Sequence, residues 1–320
     1  MRAAQLSGPK HFDFVDVEPP SPQEGEVLVR VQRISVCGSD LRTYDRVLAE
    51  EEYPLAPGRP NHECAGVVEE SRAEGYVSGQ RVIILPYPQY GLAEYLVEGT
   101  NRLIPLPDDG DLSTLLMCQP MGTVLYSCQR IGGVLGKRVA ILGQGAIGLT
   151  FARFMADQGA RQVIVSDLLP YRLEAAKEWG ATHVINASKE NVPEAVAEIT
   201  NGEMADVVVE AAGRSATANQ VFEIVKKQGL VALFGLPLHH NTFPFNYSTM
   251  MDKLPTVLVT VGSRTDDPSG YVKECVNLVR EGLLDPSPLI THRLPFDDVQ
   301  KAYDMYSDKK DNVIKVVLEL

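Results

Sequence analysis

The sequence predicts a two-domain α/β protein, in which an all-β unit is combined with a parallel sheet covered by helices on both faces. The chain has 320 residues, more than the roughly 250 to 300 at which a single hydrophobic core stops growing. Short β-like runs separated by turn residues fill about the first 105 positions. From Lys137 onward, Val-, Ile- and Leu-rich runs alternate with amphipathic helices, which is typical of a parallel sheet.

The first unit is predicted to be entirely β because its apolar runs are short and are bounded by Gly, Pro or Asp clusters. These runs are EVLVRVQRI, CAGVVEE, QRVIILP and LAEYLVE.

A helix is predicted to lead out of this unit. The turn PLPDDGDLS ends in Ser113, a candidate N-cap, and the apolar stretch LLMCQPMGTVLYSCQRI follows with helical spacing that Pro120 interrupts.

The second unit is predicted to contain strands at RVAILG, QVIVSD, HVIN, DVVVEAAG, GLVALFG and TVLVTVGS, with helices between them. The tail from about Ser269 carries a helix and the closing strand VIKVVLEL, which resemble the first part of the chain. The predicted domains are therefore 1–128 together with 267–320, and 129–266.

Composition and charge exclude several classes of function. Apolar residues make up 44% and charged residues 22%, and no segment approaches the roughly 20 apolar residues that span a bilayer. The N-terminus has no apolar run behind Arg2, so we expect no signal peptide and a cytoplasmic protein. A net charge of -12 argues against nucleic-acid binding and favours a small-molecule partner. The five cysteines form no CxxC pair and predict thiols, one of them a candidate metal ligand, rather than a disulfide framework.

The stretch RVAILGQGAIGLTFARF indicates a dinucleotide site, since a G-x-G-x-x-G pattern follows a strand and opens a helix. Gly143 permits the tight turn, Gly145 lets the backbone approach a pyrophosphate, and Gly148 lets helix and strand pack closely. Asp167 ends the next strand, where a carboxylate accepts the ribose hydroxyls and repels a 2′-phosphate, so NAD is favoured over NADP; the nearby Arg172 weakens this preference. The residues assigned to the cofactor are Gly143, Gly145, Ala146, Ile147, Gly148, Asp167 and Arg172.

Two segments of the β-rich unit, VCGSD and GRPNHECAGVV, indicate a metal site. They contain Cys37, Ser39, Asp40, His62 and Glu63. Thiolate, imidazole and carboxylate together are ligands of a catalytic zinc that keeps one position open for water or substrate.

These motifs resemble the zinc-dependent medium-chain alcohol, polyol and sugar dehydrogenases over essentially the whole chain. The resemblance rests on CGSD, the HE pair followed by GVV, GQRV, LAEYLVEGTNRLIPLPD, GQGAIG and the closing helix and strand. It implies a GroES-like β-barrel catalytic domain completed by the C-terminal tail, and a Rossmann cofactor domain. It also implies catalytic zinc ligands at Cys37, His62 and Glu63, a substrate-hydroxyl contact at Ser39, and a supporting role for Asp40.

The chain departs from the family pattern at three places. Only IILPYPQY stands where most zinc-type members carry a four-cysteine lobe, so a structural zinc is not expected. Arg42 replaces a histidine that usually relays protons, so the proton must leave by another route or through water. Gln119 stands where the family has an acidic or cysteine ligand before a proline.

Gln119 permits more than one interpretation. Cys37 and Glu63 already neutralise a +2 ion, so the amide oxygen of Gln119 is predicted to be a fourth, labile zinc ligand or to hydrogen-bond the metal's water. Cys118 is a competing ligand, although it requires a different helix register. Alternatively, Gln119 marks a site that has lost its metal.

The predicted reaction is hydride transfer between a secondary alcohol and NAD, with Ser39 taking the hydroxyl proton. Polar residues around the ligands favour a polyol, a sugar or an anionic hydroxy compound. Arg42 and Tyr44 are the candidate substrate contacts; Arg46, Arg59, His239 and His240 are further polar residues of the same surroundings.

The sequence is also compatible with two other functions. One is a metal-free NAD(P)H-dependent enone or quinone reductase, and the other is a redox-neutral or noncatalytic nucleotide-binding member of the same superfamily. The strand TVLVTVGS resembles the edge through which this superfamily often pairs, so a homodimer or homotetramer is expected.

Overall fold

The computed structural model describes residues 1–237, 242–261 and 267–320. Contacts divide the chain into two compact units, Met1–Gly122 with Asp266–Leu320, and Thr123–Thr265. The first division, after Gly122, lies a few residues before the predicted 128/129 boundary. Both positions lie within one continuous helix, Cys118–Ile131.

The bounds of the strands and helices are as follows. The strands are β1 Arg2–Gly8, β2 His11–Asp16, β3 Glu26–Ser35, β4 Cys64–Ser71, β5 Arg81–Ile84, β6 Tyr95–Gly99, β7 Leu103–Pro105, β8 Arg138–Leu142, β9 Gln162–Asp167, β10 His183–Asn186, β11 Ala205–Glu210, β12 Val225–Leu233, β13 Thr256–Val259, β14 Ile290–Pro295 and β15 Lys315–Glu319. The helices are α1 Leu41–Tyr44, α2 Leu112–Leu116, α3 Cys118–Ile131, α4 Ala146–Asp157, α5 Pro170–Glu178, α6 Val192–Ile199, α7 Ser215–Ile224, α8 Tyr247–Lys253, α9 Gly270–Arg280 and α10 Val299–Asp308. Within the described ranges, no helix is both long and apolar enough to cross a membrane.

The first unit is built around β3, which pairs antiparallel with β4, β6 and β15. Its sheet has the order β14-β15-β3-β4-β5-β7, and β1 and β2 form a separate hairpin. The buried side chains of Val27, Val29 and Val31 alternate along β3, as expected for a strand with one face on the core. Because Val317 of β15 lies opposite Ser35 of β3, the C-terminal tail belongs to this unit.

The second unit is a six-stranded sheet in the order β10-β9-β8-β11-β12-β13, and all its strand pairs are parallel. This is the strand order of a Rossmann fold, which confirms the predicted fold class of a GroES-like domain with a doubly wound domain. The first strand of the unit, β8, lies in the middle of the sheet. Strands β9 and β10 follow on one side of it, and β11, β12 and β13 lie on the other side. Ligands of such sheets bind outside the carboxyl ends of the strands, at the reversal between β8 and β11.

The predicted cap at Ser113 is wrong. Asp111 is the N-cap of α2, and its carboxylate accepts hydrogen bonds from the backbone N–H groups of Ser113 and Thr114. The apolar stretch breaks at Met117, between α2 and α3, and Pro120 lies in the first turn of α3, where its missing N–H has no helical partner to lose.

Candidate metal and cofactor sites

Three side chains in the first unit, Cys37, His62 and Glu63, lie close enough together to hold one metal ion. These three side chains are called the metal cluster below. Their ligand atoms all lie within 4.8 Å of one another. The pairing of β3 with β4 causes this convergence: Ile34 lies opposite Cys64, so the loop that follows β3 and the turn that precedes β4 meet at one edge of the sheet. The structure therefore brings together the three residues predicted as ligands.

Glu63 has one carboxylate oxygen free for a ligand. Its side chain is 1% exposed and Oε2 accepts a hydrogen bond from Lys315 Nζ, whereas Oε1 is buried without a hydrogen-bond partner. Burial alone would raise the pKa of Glu63, but the positive charges of Lys315 and His62, together with the hydrogen bond from Lys315 and the neighbouring Ser35 hydroxyl, outweigh it and lower the pKa. A buried carboxylate oxygen without a partner, next to a thiol and an imidazole, fits a bound zinc ion.

His62 is oriented by Asp40. Its Nδ1 lies 3.0 Å from Asp40 Oδ1, which leaves Nε2 for a metal. Ser39 Oγ lies 3.2 Å from Cys37 Sγ and 3.5 Å from His62 Nε2, so the serine hydroxyl borders the metal cluster. Burial would lower the pKa of His62, but Asp40 and Cys37 reverse this and hold it well above its usual value, so zinc must compete with a proton for Nε2.

Asp40 is itself held by a buried network. The Oδ2 atom accepts hydrogen bonds from Cys37 N at 3.0 Å and Asn61 Nδ2 at 3.2 Å, and the hydroxyl of Tyr303, which donates to the carbonyl oxygen of Pro60 at 2.5 Å, lies 3.3 Å away. Because Asp40 is completely buried, these donors and His62 are what stabilise its charge. The loop that carries Cys37 and the turn that carries His62 are thus fixed by one carboxylate.

Three residues that contact Asp40 or Glu63 are absent from the predictions made from the sequence, namely Asn61, Tyr303 and Lys315. Nothing in the local sequence connects Tyr303 with a motif far from it in the chain. Lys315 did carry a signal, because its charge interrupts the apolar run of the closing strand VIKVVLEL and such a charge needs a buried partner.

Gln119 lies in the first turn of α3 and is 6% exposed. Its Oε1 atom is buried and has no hydrogen-bond partner. An amide oxygen left without a partner is suited to a metal or a metal-bound water, and the contact of Gln119 with the metal stays a prediction.

The two candidate substrate contacts differ sharply. Tyr44 as a substrate contact is wrong: the side chain is completely buried in the aromatic core, and its hydroxyl is committed to Asp304, Gln300 and the carbonyl of Lys10. Arg42 is half-buried, and its guanidinium makes no hydrogen bond or ion pair with the residues the structure describes. The predicted pair His239 and His240 lies outside the described residues.

The glycine loop of the second unit has the geometry that its pattern predicted. Gly143 has a φ of 94°, which favours glycine, and a Cβ at Gly148 would lie 1.8 Å from the Gly143 carbonyl oxygen. Helix α4 begins at Ala146, directly after Gly145, and Ile147 follows in its first turn. Backbone N–H groups at the start of α4 therefore form a potential phosphate site.

Asp167 ends β9 beside this loop. Its carboxylate accepts hydrogen bonds from Gln144 N at 2.7 Å and Leu169 N at 3.0 Å. Arg172 Nη1 lies 3.7 Å from Asp167 Oδ2, so the arginine and the carboxylate form an ion pair. All seven residues predicted for the cofactor thus lie on the loop after β8, the start of α4, or the segment from β9 to α5.

Comparison with known proteins agrees with both units. The family model for the alcohol dehydrogenase GroES-like domain matches residues 23–141, and the model for zinc-binding dehydrogenases matches residues 146–278. The chain is 26% identical to sorbitol dehydrogenase of Bacillus subtilis (strain 168), covering 99% of this chain and 97% of that protein. It is 28% identical to L-idonate 5-dehydrogenase of Vitis vinifera, covering 99% and 94%.

A solved structure shows the same fold. The alcohol dehydrogenase from Thermus sp. ATN1 superposes with a TM-score of 0.87 at 26% identity, and the match covers 100% of both chains. With family models matched to both domains and relatives matched over nearly the full length, the chain belongs to the zinc-type alcohol dehydrogenase family.

Proposed function

We propose that the protein is an NAD-dependent dehydrogenase that oxidises a secondary hydroxyl of a polyol, sugar or hydroxy acid with one catalytic zinc. The observation that carries this proposal is the metal cluster, in which Glu63 Oε1 is buried without a partner and Asp40 leaves His62 Nε2 free. Cys37, His62 and Glu63 would hold the zinc, and Gln119 would offer a labile fourth ligand or accept a hydrogen bond from water.

The residues of the cluster suit this chemistry. A zinc ion held by these residues would lower the pKa of a substrate hydroxyl, and NAD bound at the glycine loop would be the acceptor of the hydride from the carbinol carbon. Ser39 Oγ lies beside Cys37 Sγ and His62 Nε2, and we propose that it accepts the hydroxyl proton while it passes its own to water. Arg42 cannot take the relay role of a histidine, because a guanidinium stays protonated.

NAD is proposed over NADP because of Asp167. A carboxylate at this position accepts the ribose hydroxyls and repels a 2′-phosphate. The ion pair with Arg172 reduces the repulsion without removing the hydrogen-bond acceptor.

The test is zinc per chain in protein purified without added metal, combined with NADH formation on a panel of polyols, sugars and hydroxy acids. We expect about one zinc per chain, since the chain has no cysteine between Cys64 and Cys118 to build a structural site. Activity should disappear on chelation and return with zinc. A parent protein without zinc, or activity on enones that survives chelation, would replace this proposal by a metal-free reductase.

Arg42 is proposed to contact an anionic group of the substrate. Its guanidinium has no partner among the described residues, and Arg59 on the same loop region has a buried Nε that also lacks one. A hydrogen bond to a charged group contributes about 1.5 to 3 kcal/mol, so Arg42→Ala should lower kcat/KM for carboxylated or phosphorylated alcohols about 10- to 100-fold and change neutral alcohols little. The exposed Arg46 supplies the control Arg46→Ala. Equal losses for neutral and anionic substrates would contradict the assignment.

A second copy of the chain is the proposed partner of the β13 edge, giving a dimer or a tetramer. The strand is the last of its sheet, and Val257 and Val259 are 41% and 64% exposed. An exposed apolar edge strand readily pairs with another strand. We expect light scattering to show a dimer or tetramer, and Val259→Glu to shift the protein toward monomer while Val77→Glu, at an exposed residue of the first unit, does not. A monomeric parent would refute the pairing.

A further inference from the structure

Lys315 and Glu63 form an ion pair in the interior of the first unit. The Nζ atom lies 2.5 Å from Glu63 Oε2 and 3.1 Å from the carbonyl oxygen of Val36, and the two side chains are 2% and 1% exposed. Charged side chains are almost never this buried, and such a pair is weak evidence for stability because apolar replacements are often neutral or better. A role at the metal cluster is the stronger explanation.

The two oxygens of Glu63 have different surroundings. Lys315 occupies Oε2, and Oε1 has no partner although it is buried in a carboxylate that belongs to the metal cluster. The Lys315 ammonium group thereby holds one oxygen of the carboxylate and leaves the other oxygen for a ligand.

We propose that Lys315 is a positioning residue that makes Glu63 a one-oxygen metal ligand, which keeps a coordination position open for the substrate. The inference rests on the proposed zinc site. If both oxygens of Glu63 bound the ion together with Cys37 and His62, they would fill the four positions that zinc usually offers, and water or substrate could enter only as a fifth ligand. Holding Oε2 on Lys315 leaves the fourth position to water, substrate or Gln119.

The charges lead to the same conclusion. A divalent ion and Lys315 together carry three positive charges, and they balance the negative charges of the Cys37 thiolate, Glu63 and the buried Asp40. Without Lys315 the site would be net anionic and the ion a weaker Lewis acid. Lys315 also repels the metal, so it lowers metal affinity while preserving reactivity.

Two substitutions give opposite expectations. Lys315→Met frees Oε2 and removes the repulsion, so the metal should bind about tenfold more tightly, and cobalt(II) in place of zinc should show the several-fold weaker visible absorption of a five-coordinate ion. Lys315→Arg offers a planar fork that can take both carboxylate oxygens, so the metal should bind about tenfold more weakly. Affinity is measured by competition with a chromogenic chelator on protein purified with metal present.

Lys226→Met serves as the control because its partner, Asp206, lies in the other unit. A purely structural Lys315 would give weaker metal binding in both variants with an unchanged cobalt spectrum, and this would overturn the inference. If Lys315→Met does not fold, Lys315→Gln replaces it: an amide can still donate to Glu63 Oε2 but carries no charge, so the metal should bind more tightly, whereas a purely structural Lys315 predicts weaker binding. A parent that takes up neither zinc nor cobalt would instead refute the proposed function.

Discussion

Replacing Cys37 by serine should remove zinc from the purified protein and lower turnover about 1000-fold or more. A serine hydroxyl stays protonated near neutral pH and is a poor ligand, so the cluster loses the thiolate that neutralises half of the ion's charge. The remaining His62 and Glu63 cannot hold zinc against dilution. Loss of the several kcal/mol that a Lewis acid supplies corresponds to this drop in rate.

The measurement is zinc per chain by atomic emission, together with kcat on the best substrate of the panel. Cys128→Ser provides the matched control, since this thiol is buried in the second unit and lies outside the metal cluster. Both variants should unfold at temperatures within a few degrees of the parent when all are compared without metal. If Cys37→Ser retained about one zinc and full activity, the metal cluster would not be the catalytic site.

Regular secondary structure and motif spacing could be predicted because both depend on nearby residues. Strands β9 and β10 occupy the predicted QVIVSD and HVIN. The apolar residues of these two short runs do not have the spacing of a helix, so no other element competes with the strand. Asp167 is predicted to end the strand QVIVSD, and it is the last residue of β9.

Residues that act across the fold could not be predicted. Tyr303 and Lys315 reach the metal cluster only because β15 pairs with β3 and α10 precedes it, and these contacts join positions more than 200 residues apart. Tyr44 failed for a related reason: its closeness to Cys37 in sequence suggested a lining residue, but the helix α1 turns it into the core against Phe12 and Tyr303. Sequence neighbours share a site only if their side chains leave the backbone on the same side.

The proposed zinc site is a small set of ligands held by a larger buried polar network. Asp40 connects the ligand loops through His62 and Cys37, and Lys315 controls Glu63. Such outer contacts fix ring orientation and ligand charge, and their loss typically costs 10- to 100-fold in metal affinity or activity. For this protein the network also makes a specific prediction at Asp40.

Asp40→Asn should weaken zinc binding about 100-fold or more, because it is expected to leave His62 in the wrong tautomer. Two N–H donors, Cys37 N and Asn61 Nδ2, converge on Asp40 Oδ2, so the amide oxygen of an asparagine must stay there and its NH2 must take the place of Oδ1. That NH2 faces His62 Nδ1, which then has to accept a hydrogen bond. The imidazole proton moves to Nε2, where it blocks the nitrogen that would bind zinc.

Chelator competition measures the affinity, and nitrogen-15 NMR of the histidine ring in the metal-free protein near pH 9 reports the tautomer. We expect a protonated Nδ1 in the parent and a protonated Nε2 in Asp40→Asn. The control Asp304→Asn alters a carboxylate of the same unit that is bonded to Tyr44 and Gln300, and should leave zinc binding unchanged. If Asp40→Asn weakened zinc binding without moving the proton, Asp40 would act through its charge alone. If zinc affinity were unchanged, the bond between Asp40 and His62 would have no role at the metal site.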